Sequence, residues 1–412
     1  MANIKPFLCI RPVAGIAHRI AALPYDVYNR VEAMEEIERE PLSFLRIDRP
    51  ETNFPDTVDT YDPHVYQKAR ELLDQLLQDG TFLMEDKEGY FIYELIMNGR
   101  SQTGLVACAS IDDYLSGRIK KHENTREDKE LDRIRHVDVC DAQTGPIFLA
   151  YRAHQAINET VAGAKQEEPV YRFLSPDGVC HTVWKLDQED RIAVIRAAFL
   201  EVEDIYIADG HHRAASAVKV GQKRREAHPA YTGEEAFNYF LSVLFPHDQL
   251  MILPYNRVVK DLNGLTGEEF LGKLQDSFEV IYLGTEPYMP DSKAVFGMYL
   301  KEGWYRLTAR EQIRRNDDPV ASLDVSILQD YLLKPILGID DPRVDKRIDF
   351  IGGIRGSKEL ERRVAEDMAA AFSMYPTSIE ELFQVSDAGK LMPPKSTWFE
   401  PKLRSGLFLH KL

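Results

Sequence analysis

One short run gathers most of the chemistry-bearing side chains. IYIADGHHRAASA, residues 205–217, carries an apolar stretch into an acid, a glycine, two imidazoles and a guanidinium. The pattern predicts a strand over 205–208. Gly210 permits a sharp turn that a side-chain-bearing residue would resist. The small residues that follow predict a helix whose first turns begin at Arg213. A strand, a tight turn and a helix start leave free backbone N–H groups and the positive end of the helix dipole at the turn, a setting for phosphate. His211, His212 and Arg213 add donors there. Arginine suits bidentate phosphate contact, and histidine can donate to an anion or carry a proton. Asp209 needs a separate reason. A carboxylate beside a phosphate repels it unless Mg²⁺ intervenes or the carboxylate accepts the proton of a substrate hydroxyl. Phosphoryl transfer asks for all of this: positioning, charge neutralisation and a base. Two plainer readings stand beside it. Asp209 could be an N-cap and Arg213 a surface charge. The two histidines could hold a metal, although adjacent side chains rarely face one ion and no third ligand is spaced nearby.

Two other segments could complete such a site. In KKHENTREDKELDR, residues 120–133, Glu123 would hold Mg²⁺ or orient a substrate amine, with His122 and Arg126 on phosphates. The alternative is a solvated helix laced with charge pairs three and four residues apart. Near the end of the sequence, PPKST presents Lys395, Ser396 and Thr397 on a rigid turn, a composition suited to clamping phosphate or carboxylate. Glu400, Lys402 and Arg404 follow, a basic patch that could close over the site or form a surface strand. Asp26 reads as a helix cap or as the edge of a site. GGIRGS, residues 352–357, lacks the Gly-Lys-Ser/Thr ending of a phosphate loop and is a weak signal, with Arg355 a minor candidate for ligand contact.

The elements that must position these residues alternate without a regular beat. Helices are expected over 61–78, 191–202 and 357–370, and across the charged run 119–139. Strands are expected over 6–12, 89–97, 101–111, 143–151, 170–186, 237–244 and 294–307, with Asn98-Gly99 marking a hairpin. This is α+β, or mixed α/β, and no Gly-x-Gly-x-x-Gly turn follows a strand. At 412 residues, more than one core is expected. The rhythm changes near residue 265, dividing an N-terminal region 1–265, which holds the phosphate site, from a C-terminal α/β domain 266–412 with a late basic segment. A net charge of −16 argues against a general nucleic-acid binder but leaves room for a local basic pocket. No 18-residue apolar run or signal peptide is read, and the four cysteines stand singly, so a cytoplasmic protein without zinc fingers, disulfides or membrane partners is expected.

LPYDV (23–27), PLSFLRIDRPE (41–51), RSQTGLVACASIDDY (100–114), IKKHENT (119–125), GPIFLAYR (145–152), IADGHHRAASA (207–217), LPYNRVV (253–259) and MPPKSTWFEPKLRSGLF (392–408) resemble, in order, segments of the family called domain of unknown function 1015. More remotely, Asp-Gly-His-His-Arg after a strand is similar to the loop of the ParB/sulfiredoxin superfamily, whose members bind nucleotide phosphates at a helix N-terminus. The resemblance implies a ParB/sulfiredoxin-like nucleotide-binding core. The free-serine-kinase branch carries Asp-Gly-His-x-Arg, which implies Asp209 as base for the serine hydroxyl, with His211 and Arg213 on phosphates. His211 stands where sulfiredoxin chemistry needs cysteine, and no basic helix-turn-helix follows as in ParB.

The expectation is therefore a small-molecule kinase using ATP or ADP and Mg²⁺, acting on free L-serine or a similar hydroxyl compound. Asp209, His211 and Glu123 are the expected catalytic residues. Gly210, His212, Arg213, His122, Arg126, Lys395, Ser396 and Thr397 are expected on phosphate or nucleotide, and Asp209 and Glu123 on the metal. The alternatives are a nucleotide sensor that transfers nothing, or a phosphohydrolase.

Overall fold

The computed structural model describes residues 1–314 and 317–412. It separates into two compact units, Met1–Leu250 together with Pro401–Leu412, and Met251–Glu400. Both mix helices and sheets, so the architecture is mixed α/β.

Among the described residues, the first unit is built on a nine-stranded sheet. In spatial order its strands are Ile119–Lys120, Ile205–Asp209, Ile147–Tyr151, Tyr239–Pro246, Arg100–Ser110, Tyr90–Met97, Cys180–Leu186 and Tyr171–Leu174, with Ile4–Lys5 also on Arg100–Ser110. Asn98 and Gly99 both take positive φ (53° and 80°), as a two-residue hairpin turn requires. The long strand expected over 170–186 is two strands. Ser175-Pro176-Asp177-Gly178 turns the chain between them, and Gly178 takes φ 80°. The same happens over 294–307, where Gly303 (φ 137°) closes a hairpin between Val295–Leu300 and Gly303–Ala309.

The sheet buries one apolar face built from alternating positions, among them Ile92, Leu105, Ala107, Leu149, Ile205 and Ile207. The helix His211–Ala227 lies against it through Ala214, Ala217 and Val218, and Ala215 and Ser216 are buried as well. Small side chains let a neighbouring helix, Glu127–Cys140, come close enough for the Ser216 hydroxyl to donate to the Glu130 carbonyl at 3.1 Å. The charged run over 119–139 is therefore not one solvated helix. It is a two-residue strand, a loop over 121–126, and a helix with Glu130, Asp132, Arg133 and His136 buried. The last twelve residues return to this unit. Leu409–Lys411 is an inner strand of a four-stranded sheet, between Cys9–Pro12 and Ala142–Gln143.

Among the described residues, the second unit holds a six-stranded sheet in the order Phe278–Gly284, Gly303–Ala309, Val295–Leu300, Ala370–Ser373, Tyr255–Val259, Ile348–Gly352. Gly352 and Gly353 serve close packing. A Cβ on Gly352 would lie 2.8 Å from the Trp398 ring, and one on Gly353 2.7 Å from Pro254. One helix is α-helical over Asp324–Leu328 and continues as a π-helical turn, Gln329–Leu333.

Asp324 gives this unit a pH dependence. It is 8% exposed, and both carboxyl oxygens accept from the Ala294 N–H, at 2.9 and 3.0 Å. Burial pushes the carboxyl up to about 7, helped by Glu381 and opposed by the Ala294 bond and Lys293. The folded state therefore keeps a proton that the unfolded chain releases near pH 4, so stability falls as pH rises from about 4 to about 7 and is flat beyond. The expected change is roughly 2–4 kcal/mol, and Asp324→Asn should flatten that slope. Urea unfolding across this pH range, followed by Trp304 fluorescence, checks it. A wild-type slope that Asp324→Asn leaves unchanged would exclude Asp324 as the source.

Candidate active site

Two loops leave the sheet side by side. Ile119–Lys120 pairs in parallel with Ile205–Tyr206, so the chain after Lys120 and the chain after Ile207 emerge at the same sheet end. Ligand and catalytic groups commonly gather beyond the carboxyl ends of parallel strands. The 205–209 strand is irregular at its end: the register against Ile147–Tyr151 shifts between Ile207 and Asp209. Such a bulge re-aims the terminal side chain. Gly210 then takes φ 93°, and the helix starts at His211, two residues before the expected Arg213. A Cβ at Gly210 would press on the Arg213 guanidinium at 3.1–3.2 Å.

Asp209 is half-buried and its Oδ2 lies 3.2 Å from Lys402 Nζ, while its Oδ1 accepts from the Gly210 N–H at 2.8 Å. Burial alone would raise this carboxyl. Lys402, then Arg213, outweigh it and hold the group well below the usual carboxylate range. Arg213 is braced by a 2.5 Å bond from its Nη1 to the Pro146 carbonyl. The carboxylate that the local sequence leaves unexplained has a lysine partner 193 residues away. Lys402 was legible only as part of a late basic patch, because nothing local links it to residue 209.

The two histidines diverge. His212 is half-buried, and its Nε2 accepts from the Arg126 N–H at 2.9 Å. His211 is buried and turns to the other loop. Its Nδ1 lies 4.0 Å from Glu123 Oε2, its Nε2 accepts a long 3.4 Å bond from the His122 N–H, and its ring stands edge-on to that of His122, centroids 4.5 Å apart. Burial pushes His122 down to about 4, against Asp209 and a hydrogen bond with the Ile207 backbone, and pushes His211 well below its usual value. Both rings are neutral at physiological pH. Glu123 is half-buried. Arg126 is exposed and its guanidinium pairs with Asp128.

Asp209, Gly210, His211, His212, Arg213, His122, Glu123 and Arg126 are thus brought together. Lys395, Ser396 and Thr397 belong to the other unit. There Lys395 is exposed, with its ammonium 5.5 Å above the Tyr255 ring, and the Ser396 hydroxyl donates to the Pro393 carbonyl at 2.6 Å, closing the turn. Beside Arg213, a cavity of about 30 Å³ is lined by Tyr25, Asp48, Arg133, Thr144 and Gly145. It has room for a water or two, not for a nucleobase. No helix among the described residues is long and apolar enough to cross a membrane.

At this helix N-terminus one carboxylate is clamped by cations, and a second lies beside two neutral imidazoles. The chain belongs to the family described as protein of unknown function (DUF1015), whose model matches residues 4–326. No curated protein matches the sequence. Among solved structures, a free serine kinase in complex with AMP is 14% identical, aligned over 76% of this chain and 92% of that one, with a TM-score of 0.35. SbnI with a C-terminal truncation, from Staphylococcus aureus, is 10% identical over 73% and 85% of the two chains, TM-score 0.39. A conserved hypothetical protein from Pyrococcus furiosus is 12% identical over 73% and 93%, TM-score 0.34.

Proposed function

We propose that the protein is a phosphotransferase that moves a phosphoryl group from a nucleotide, ATP or ADP, to a hydroxyl of a small molecule, with free L-serine the first acceptor to test. The observation that carries this reading is the Asp209 carboxylate, set between Lys402 and Arg213 at the start of a 17-residue helix. Phosphate oxygens bind at the first backbone N–H groups of that helix, with Arg213 and Lys402 against their charge and His212 at the rim. The acceptor hydroxyl faces Asp209. The bond from its oxygen to phosphorus forms as the bond to the leaving phosphate breaks, and its proton passes to Asp209. A strongly ionised aspartate suits this order, because in a loose transition state the hydroxyl becomes acidic only late.

A magnesium ion arriving with the nucleotide would supply positive charge against the phosphates. Of the two carboxylates expected on that ion, Asp209 fits it poorly. Asp209 already has an ammonium at 3.2 Å in the place a cation would take. Lys395, Ser396 and Thr397 have no part in this proposal.

The same clamp favours a second reading. A carboxylate held so firmly ionised is a weak base, so the site could sense a nucleotide without transferring phosphate. Incubation with ATP or ADP, Mg²⁺ and L-serine, read by ³¹P NMR for phosphoserine, separates the two. Thermal shift with ATP, ADP, CTP and pyrophosphate tests binding: a ligand at about 100 times its Kd adds about 2.7 kcal/mol. Product formation is the expected result. Binding without product leaves the sensor, and no binding by any of these ligands defeats both.

A further inference from the structure

The geometry points to a binding site for one divalent transition-metal ion of the zinc class, held by His122, His211 and Glu123. One ring nitrogen from each histidine and one carboxylate oxygen lie within 4.8 Å of one another. Two imidazoles and a carboxylate are a borderline donor set, suited to Zn²⁺ or Co²⁺ and poorly matched to Mg²⁺, which takes oxygen.

His122 supplies the independent observation. It is 3% exposed, and its Nδ1 has no hydrogen-bond partner. A buried polar atom left in that state is costly and calls for a reason. Its other nitrogen is therefore the one that meets the Ile207 backbone. A ring that donates Nε2–H to a carbonyl has its tautomer fixed, with the Nδ1 lone pair bare. Metal-binding histidines are held in this way, with the second nitrogen on a backbone carbonyl or a carboxylate.

His211 brings Nδ1 to within 4.0 Å of Glu123 Oε2. Binding through this atom places the ring proton on Nε2 and gives up only the 3.4 Å bond from the His122 amide. Ligands about 2.0–2.1 Å from a tetrahedral ion stand about 3.3 Å apart, so the trio must close by up to about 1.5 Å. Rotation of the half-buried Glu123 side chain would bring its carboxylate in, with a small shift of the two rings. Three protein ligands leave a fourth position for water or a ligand oxygen, the pattern of a reactive rather than a structural site.

This inference goes beyond phosphotransfer and is measured without nucleotide. The full chain, free of any histidine tag and stripped with a chelator, is titrated with Co²⁺ and then Zn²⁺. The expected result is one Co²⁺ per chain, visible d–d bands of low-coordinate cobalt, and displacement by Zn²⁺ but not by excess Mg²⁺. Glu123→Gln should weaken Co²⁺ binding at least tenfold and His122→Asn further, with far-UV circular dichroism unchanged. His228→Ala, at an exposed histidine elsewhere, should bind as wild type. No stoichiometric binding by the wild-type chain overturns the inference. So does binding that Glu123→Gln and His122→Asn leave intact, or equal competition by Mg²⁺. If cobalt binds as described and no phosphoserine forms, the phosphotransfer reading fails and the metal site stands.

Discussion

Asp209→Asn lowers turnover by about 10²–10⁴-fold and leaves nucleotide affinity unchanged or tighter. The amide keeps the shape of the carboxylate and can still accept the Gly210 N–H, which now bonds Oδ1 at 2.8 Å. It cannot take a proton from an acceptor hydroxyl. It also removes a negative charge close to bound phosphates and releases the Lys402 ammonium, now 3.2 Å from Oδ2, to pair with them. Loss of transfer with retained binding is therefore the signature. It is read by single-turnover phosphoserine formation beside a nucleotide titration. An Asn variant with wild-type turnover removes Asp209 from the chemistry. An Asn variant that loses both activities reports a structural role instead.

Deleting residues 401–412 should abolish cooperative unfolding of the first unit. Leu403, Leu407, Phe408 and Leu409 are all buried within it. At about 1.5–3 kcal/mol for each buried side chain, together they contribute roughly 6–12 kcal/mol, close to the whole stability of an ordinary domain. The segment also holds an inner strand, so its loss parts Ala142–Gln143 from Cys9–Pro12 and leaves Cys9–Pro12 paired only with Phe82–Met84. Arg404 adds to the anchoring. Its guanidinium reaches Asp177 at 2.5 Å and Ser175 Oγ at 3.1 Å in the turn between the 171–174 and 180–186 strands. Trp184, buried in the core of the first unit's large sheet, is the reporter: its urea transition should broaden or vanish. Lys402→Met is the milder companion. It keeps the strand and the apolar contacts and should remain folded, with nucleotide affinity reduced. A truncated chain that unfolds as sharply as the full one would show that the segment is peripheral.

The sequence disclosed what is local. Asn98-Gly99 named its own hairpin, and Asp-Gly-His-His-Arg named its own turn, because each needs a backbone conformation or charge grouping that neighbours alone explain. The expected strands run too long where a breaker interrupts them: Pro176-Asp177-Gly178 and Gly303 each split one expected strand into a hairpin. The helix start at His211 was placed late because Gly210, not a polar side chain, occupies the cap. What stayed hidden was long-range. A two-residue strand, Ile119–Lys120, is too short to announce its pairing, yet that pairing brings His122 and Glu123 to His211. The charge pattern of 119–139 reads as a solvated helix until the loop over 121–126 is seen. Asp209 and Lys402 share a salt bridge across nearly half the chain, and no periodicity records it.

The return of residues 401–412 to the first unit also sets an order of events on the ribosome. All of Met251–Glu400 must be translated before the inner strand Leu409–Lys411 and the lysine facing Asp209 emerge. Domains commonly fold as they leave the ribosome, N-terminal first. Here the first unit cannot finish until the unit inserted in its sequence has been made. A prematurely terminated product therefore carries Asp209 without Lys402, and the full charge clamp exists only on chains read through to this segment.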